Sequence, residues 1–313
     1  MTTLTARTFS WAAPKRRRRR ALGRVLRAAA PVLPRKPPPR DPIFILGAPR
    51  SGTTMLFEIL NRSSDLASLE RETGVIWDAF HRIEELDWVS HAVPPEAITA
   101  RERRTLYWAI ERLTLGKRYL DKLPRNTLRV PYLKTLFPDA WFVFLRRDGR
   151  AVVSSLMTGW REPGGRFGRG MEPPIPLQIE GYDGRIWKFL LPPGWEGLAQ
   201  GHTLAEVCAF QWVAANESIL ASRELIASDH WAEISYEELV ARPRDSASAV
   251  LRALHLPERS EVLSYAEELD RHVTKKAVTP PRAEKWRQEN GVAVESVMPT
   301  ISPMMRRLGY PLD

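Results

Sequence analysis

Apolar residues along this chain gather in short unbroken runs, separated by stretches in which they recur every three or four positions. The runs at 43–46 (IFIL) and 141–145 (WFVFL) offer no polar position to a solvent face, so each reads as a strand buried on both sides. Shorter runs predict further strands at 66–69, 119–120 and 231–234. Helical spacing predicts helices from Met55 to Leu60, over 97–115, 128–137, 204–225, 246–254 and 261–269, and a closing helix ending near 308–309. Residues 76–115 read as mostly helical with a break at Pro94 and Pro95. Strands alternating with helices predict an α/β fold, a mainly parallel sheet flanked by helices on both faces in a single domain.

Two segments depart from this pattern. Residues 1–40 are rich in Arg, Ala and Pro and read as a basic, largely disordered tail, with the domain running from 41 to 313. Within the tail, 21–33 has the pattern of a short amphipathic helix, with Arg24 and Arg27 opposite Leu22, Val25 and Leu26, suited to weak contact with an anionic membrane surface. Residues 161–201 are rich in Gly and Pro and carry Phe167, Tyr182, Trp187, Phe189 and Trp195. An irregular stretch of that length inside a domain is usually functional or mobile.

Charge changes the picture only for the tail. The 313 residues carry a net charge of +10, but residues 1–40 alone hold Arg7, Lys15, Arg16–Arg20, Arg24, Arg27, Arg35, Lys36 and Arg40 with no Asp or Glu. The remainder is close to neutral, which argues against a nucleic-acid-binding surface on the domain. The one cysteine, Cys208, excludes an intrachain disulfide and a multi-cysteine metal site, and it sits in an apolar helical pattern as a buried thiol would. No apolar run approaches the ~18 residues of a membrane span, and the tail lacks the apolar core of a secretory signal, so the expected setting is cytoplasmic.

The candidate chemistry starts where the first buried strand ends. Gly47, Gly52 and Thr54 fit the phosphate-loop pattern G-x-x-x-x-G-K-[ST], but Thr53 stands where the lysine belongs and the cation sits earlier, at Arg50. Strand, glycine turn and helix N-terminus make an anion cradle of backbone N–H groups. The lysine of triphosphatases reaches the outer phosphates, so its loss points to a shorter anion. A second anion motif, RDGRAVVSS, follows the strand at 141–145 and sets Arg147 and Ser155 eight residues apart, a guanidinium fork and a hydroxyl suited to a phosphate monoester. A ligand-free strand-to-helix turn, with Asp148 and Arg150 merely capping the helix, is the plain alternative.

PRSGTT at 49–54 together with RDGRAVVSS resembles the sulfotransferases that use 3′-phosphoadenosine-5′-phosphosulfate (PAPS), the bacterial and tyrosylprotein-type branch in particular. The resemblance spans roughly 42–160 and 203–310 and implies a P-loop-like fold and transfer of a sulfuryl group to a hydroxyl-bearing acceptor without a metal. It assigns Arg50, Ser51, Gly52, Thr53 and Thr54 to the 5′-phosphosulfate, and Arg147 and Ser155 to the 3′-phosphate. It assigns Tyr236 in SYEEL and Lys285 in EKWR to the nucleotide, Lys122 in DKLPRN to the transferring sulfuryl group, and Glu72 in RETGVI to the general base. Glu70, two residues away on the same strand face, keeps a claim to that role. The resemblance does not cover 161–201, whose aromatic and glycine content reads instead as a mobile lid over the acceptor. The competing readings are a P-loop nucleoside triphosphate-dependent kinase or ATPase, with Asp148 as its only magnesium candidate, and a non-enzymatic nucleotide-binding or membrane-associated module.

Overall fold

The computed structural model describes residues 23–68, 76–163, 170–269 and 285–312. Five strands form the central sheet: β1 (Ile43–Leu46), β2 (Leu66–Ala67), β3 (Arg118–Asp121), β4 (Trp141–Arg146) and β7 (Trp231–Ser235). They lie in the order β2-β3-β1-β4-β7 and every pairing is parallel. The unbroken apolar runs thus occupy the middle of the sheet, where both faces are covered. Phe44 lies beside Phe142 and Ile45 beside Val143. Because strand side chains alternate, these rows feed two different cores. Phe44, Leu46, Phe142 and Phe144 enter one with Val152, Trp212 and Met304, while Ile43, Ile45, Val143 and Leu145 enter the other with Leu56, Ile59 and Leu251.

The helices are α1 (Thr53–Leu60), α2 (Ala100–Thr114), α3 (Val130–Leu136), α4 (Gly149–Arg161), α5 (Leu204–Ala221), α6 (Tyr236–Ala241), α7 (Pro243–Ala253), α8 (Ser260–Glu267), α9 (Lys285–Ser296) and α10 (Met298–Arg307). Sequence reading overestimated regular helix before α2. Residues 76–99 contain the single 3₁₀ turns Ile83–Glu85 and Pro95–Ala97, with Asp87 and Trp88 left-handed at φ 48° and 62°. α2 starts only where Thr99 and Glu102 close a reciprocal capping box.

Within the two irregular segments, residues 23–36 and 170–201 are better ordered than their composition predicts. Residues 23–29 are helical, and the stretch up to 36 lies along α2. Arg27 pairs with Glu85 at 2.8 Å, Arg101 Nε donates to the Arg27 carbonyl at 2.8 Å, Arg104 donates to the Pro31 carbonyl at 2.9 Å, and Lys36 pairs with Glu111 at 2.9 Å. This part of the expected disordered tail is docked onto the domain. In the 161–201 stretch, β5 (Gln178–Glu180) and β6 (Gln200–Thr203) pair in parallel. Trp187 and Trp195 are buried, 5.0 Å apart, and Trp187 lies 5.2 Å from Trp160. Gln211 ties the segment to α5, its Nε2 donating to the carbonyls of Lys188 and Leu190 at 2.7 and 2.6 Å. Its two tryptophans are core residues. Phe167 lies outside the described residues.

Candidate active site

The carboxyl ends of β1, β3 and β4 lie side by side at one edge of the sheet, where open parallel sheets bind ligands. β1 delivers the glycine turn there. Gly47 is buried, and a Cβ on it would stand 2.6 Å from the Leu145 carbonyl oxygen, so only glycine fits. Gly52 is left-handed at φ 99° and caps α1 without a side-chain hydrogen bond. The first-turn N–H groups of α1 are therefore not taken by a capping side chain, which is what an anion cradle requires. Arg50 is left-handed too, at φ 74°, a conformation that costs a non-glycine residue free energy and clusters at ligand sites.

The two anion motifs touch each other. Arg147 Nη1 donates to the Arg50 carbonyl at 2.8 Å, and Arg50 Nε donates to Ser155 Oγ at 3.1 Å. Among the described residues Arg147 Nε is buried without a hydrogen-bond partner, a donor that a phosphate oxygen would satisfy. Tyr236 lies under both motifs: the Arg147 guanidinium stacks 3.9 Å above its ring, and a Cβ on Gly52 would stand 2.5 Å from its Cδ2. It supports the two loops from below.

β3 supplies the next group. Lys122, just past its end, donates from Nζ to Thr54 Oγ1 at 3.2 Å, which brings a second cation to the mouth of the cradle. The preceding Asp121 is buried and accepts from Tyr119 at 2.9 Å, Trp77 Nε1 at 3.3 Å and Asn126 Nδ2 at 2.7 Å. Burial pushes its carboxyl up to about 6, against the pull of those donors and of Lys122. Farther along the same turn, Thr127 Oγ1 accepts from the Gly47 N–H at 3.3 Å and donates to the Gly47 carbonyl at 3.1 Å.

Arg50, Ser51, Gly52, Thr53, Thr54, Lys122, Arg147, Ser155 and Tyr236 thus converge at this edge of the sheet. Lys285 opens α9 and pairs with Glu289 at 2.7 Å. That helix reaches the second motif through Asn290, which has non-helical φ −144° and donates from Nδ2 to Ser154 Oγ at 2.9 Å. Glu70 and Glu72 lie outside the described residues. Asp148 caps α4, accepting from the Arg150 N–H at 2.8 Å, and pairs with the Arg150 guanidinium at 2.7 Å. That leaves it poorly disposed to hold magnesium. Sequence reading passed over Asp121, Thr127 and Asn290, each of which has a partner distant in the chain: Trp77, Gly47 and Ser154.

Residues 42–175 match the sequence model of the sulfotransferase family. Protein-tyrosine sulfotransferase 1 of Danio rerio is 26% identical over 291 residues, covering 86% of this chain and 72% of the relative. Nodulation protein NoeE of Sinorhizobium fredii is 26% identical over 79% of this chain and 60% of its own length. Among solved structures, sulfotransferase STF9 of Mycobacterium avium superposes with a TM-score of 0.57 at 16% identity, covering 98% of this chain and 88% of its own, which establishes a shared fold. The matched segment contains both anion motifs and Lys122, and over residues 42–175 the chain is similar to the sulfotransferase family.

Proposed function

We propose that this protein moves a sulfuryl group from PAPS to a hydroxyl of its acceptor by in-line transfer. The observation that carries the reading is the direct contact between two anion motifs, Arg147 to the Arg50 carbonyl and Arg50 to Ser155. A lone phosphate loop needs no such neighbour. A nucleotide with phosphates at both the 5′ and 3′ positions would use both, and the unpartnered Arg147 Nε supplies a donor for the second.

In this reading the α1 N-terminus and Arg50 hold the 5′-phosphosulfate, and Arg147 and Ser155 hold the 3′-phosphate. Lys285 approaches the nucleotide from α9. The acceptor oxygen bonds to sulfur as the sulfur–oxygen bond to the 5′-phosphate breaks. Glu72 takes the acceptor proton, Lys122 faces the charge on the transferring group, and Arg50 with the loop amides faces the charge growing on the departing phosphate. The likeness to protein-tyrosine sulfotransferases makes a tyrosine hydroxyl the first acceptor to try, with saccharide, lipid and small alcohol hydroxyls next. The nucleoside triphosphate reading is disfavoured by Thr53 in the lysine position and by the Asp148–Arg150 pair.

Calorimetry with 3′,5′-ADP, ADP and ATP tests the proposal. Tight binding of 3′,5′-ADP alone, unchanged by EDTA, is the expected result. Magnesium-dependent binding of ATP would replace it with the kinase reading.

A further inference from the structure

Gly47 is the first residue past the β1 ladder, whose last register pair joins Leu46 to Phe144. Gly47 is buried, and among the described residues the strand pairing ends before it. Buried backbone donors and acceptors cost free energy unless they are met. Here one side chain meets both. The Thr127 hydroxyl has a single hydrogen, which it donates to the Gly47 carbonyl at 3.1 Å, and its lone pair accepts the Gly47 N–H at 3.3 Å. Thr127 itself is 1% exposed.

Gly47 is closed in from its other sides as well. The Leu145 carbonyl oxygen and the Thr53 methyl would stand 2.6 and 2.9 Å from a Cβ placed there. The peptide that begins the glycine turn is therefore fixed by β4, by α1 and by Thr127. The turn that carries Thr127 also carries Lys122, whose Nζ donates to Thr54 at the far end of the cradle. One short segment grips the cradle where it starts and where it ends.

We propose that Thr127 is a positioning residue for the 5′ cradle, setting the Gly47 peptide and through it the aim of the amides that follow. The proposal rests on the anion-cradle part of the reading above. A hydroxyl is needed, because an isosteric methyl cannot satisfy either Gly47 group, while serine keeps both bonds.

The test compares wild type, Thr127→Val and Thr127→Ser by calorimetry with 3′,5′-ADP, 5′-AMP and 3′-AMP, and by thermal shift with inorganic sulfate. The valine variant should lose roughly tenfold in affinity for 3′,5′-ADP and 5′-AMP, equivalent to about 1.4 kcal/mol. Binding of 3′-AMP, which has no 5′ group, should hold, and serine should restore the losses to within a few-fold. The sulfate-induced rise in melting temperature should shrink in the valine variant alone. Unchanged 5′-AMP and sulfate binding in a folded valine variant would overturn the assignment. So would equal losses for 3′-AMP, since those would mark a purely structural role. If wild type binds no 3′,5′-ADP, the PAPS reading fails while the sulfate comparison still decides Thr127.

Discussion

Replacing Arg147 with alanine removes three things at once: a buried Nε donor, a hydrogen bond to the Arg50 carbonyl and a cation stacked on Tyr236. The first should appear as a loss of roughly one to two decades in affinity for 3′,5′-ADP, from a charge-assisted bond of ~1.5–3 kcal/mol. The second should reach 5′-AMP as well, but only by a few-fold, because it acts on Arg50 through its backbone. Calorimetry with both ligands separates the two, and equal losses would remove Arg147 from the 3′ site. For the base, Glu72→Gln should lower 3′,5′-ADP release from PAPS in the presence of acceptor by about 10²–10⁴-fold with nucleotide affinity unchanged, and Glu70→Gln should stay within a few-fold of wild type. The reverse pattern exchanges their roles. Asp121 sets a pH signature of its own. Its carboxyl titrates at about 6 in the folded chain against 3.8 as the ordinary value, so the folded state holds the proton more tightly. Stability contributed through this group should be present below about pH 4 and lost as pH rises towards 6. Urea titrations should show wild type losing up to ~3 kcal/mol over that window relative to Asp121→Asn, and parallel curves would refute it.

At the scale of elements, the 161–201 segment shows where sequence and structure part. The lid reading rests on its aromatic and glycine content, and two of those aromatics, Trp187 and Trp195, are buried against Trp160 and held by Gln211 through the neighbouring carbonyls. Trp187→Ala should therefore destabilise the fold by about 3–5 kcal/mol in urea. An acceptor-preference change without a stability change would restore the lid reading. The elements that were legible announce themselves locally. β1 and β4 are unbroken apolar runs, and Gly47, Gly52 and Thr54 have a fixed spacing with a steric cause. The Thr127 and Asp121 contacts were not legible, because Gly47 lies 80 residues from Thr127 and Trp77 lies 44 from Asp121. Nothing in the local sequence specifies such pairings. The same holds for the N-terminal stretch, whose helical pattern at 21–33 is legible but whose docking onto α2 rests on partners distant in the chain.

For the whole molecule, that stretch makes a further prediction. A chain starting at residue 37 loses the Arg27–Glu85 and Lys36–Glu111 pairs and the packing of Ala30, which is 1% exposed. Exposed pairs are weak individually, so the melting temperature should fall by only roughly 2–8 °C, with 3′,5′-ADP affinity kept because the contacts lie on α2 and the Ile83–Glu85 turn and not on the anion loops. A collapse of nucleotide binding would show the stretch to be part of the site. The placement of β1 carries a different consequence, for biosynthesis. The first strand to leave the ribosome is the middle of the sheet, and its neighbours β3 and β4 end only at residues 121 and 146. At ~5–20 residues per second, IFIL waits on the order of 4–15 s with both hydrogen-bonding edges open, until β3 is made. β7, which covers the far side of β4, comes some ninety residues later still. Newly made chains of this protein should therefore depend on holding chaperones for most of their translation, and slowing elongation before residue 146 should raise the aggregated fraction.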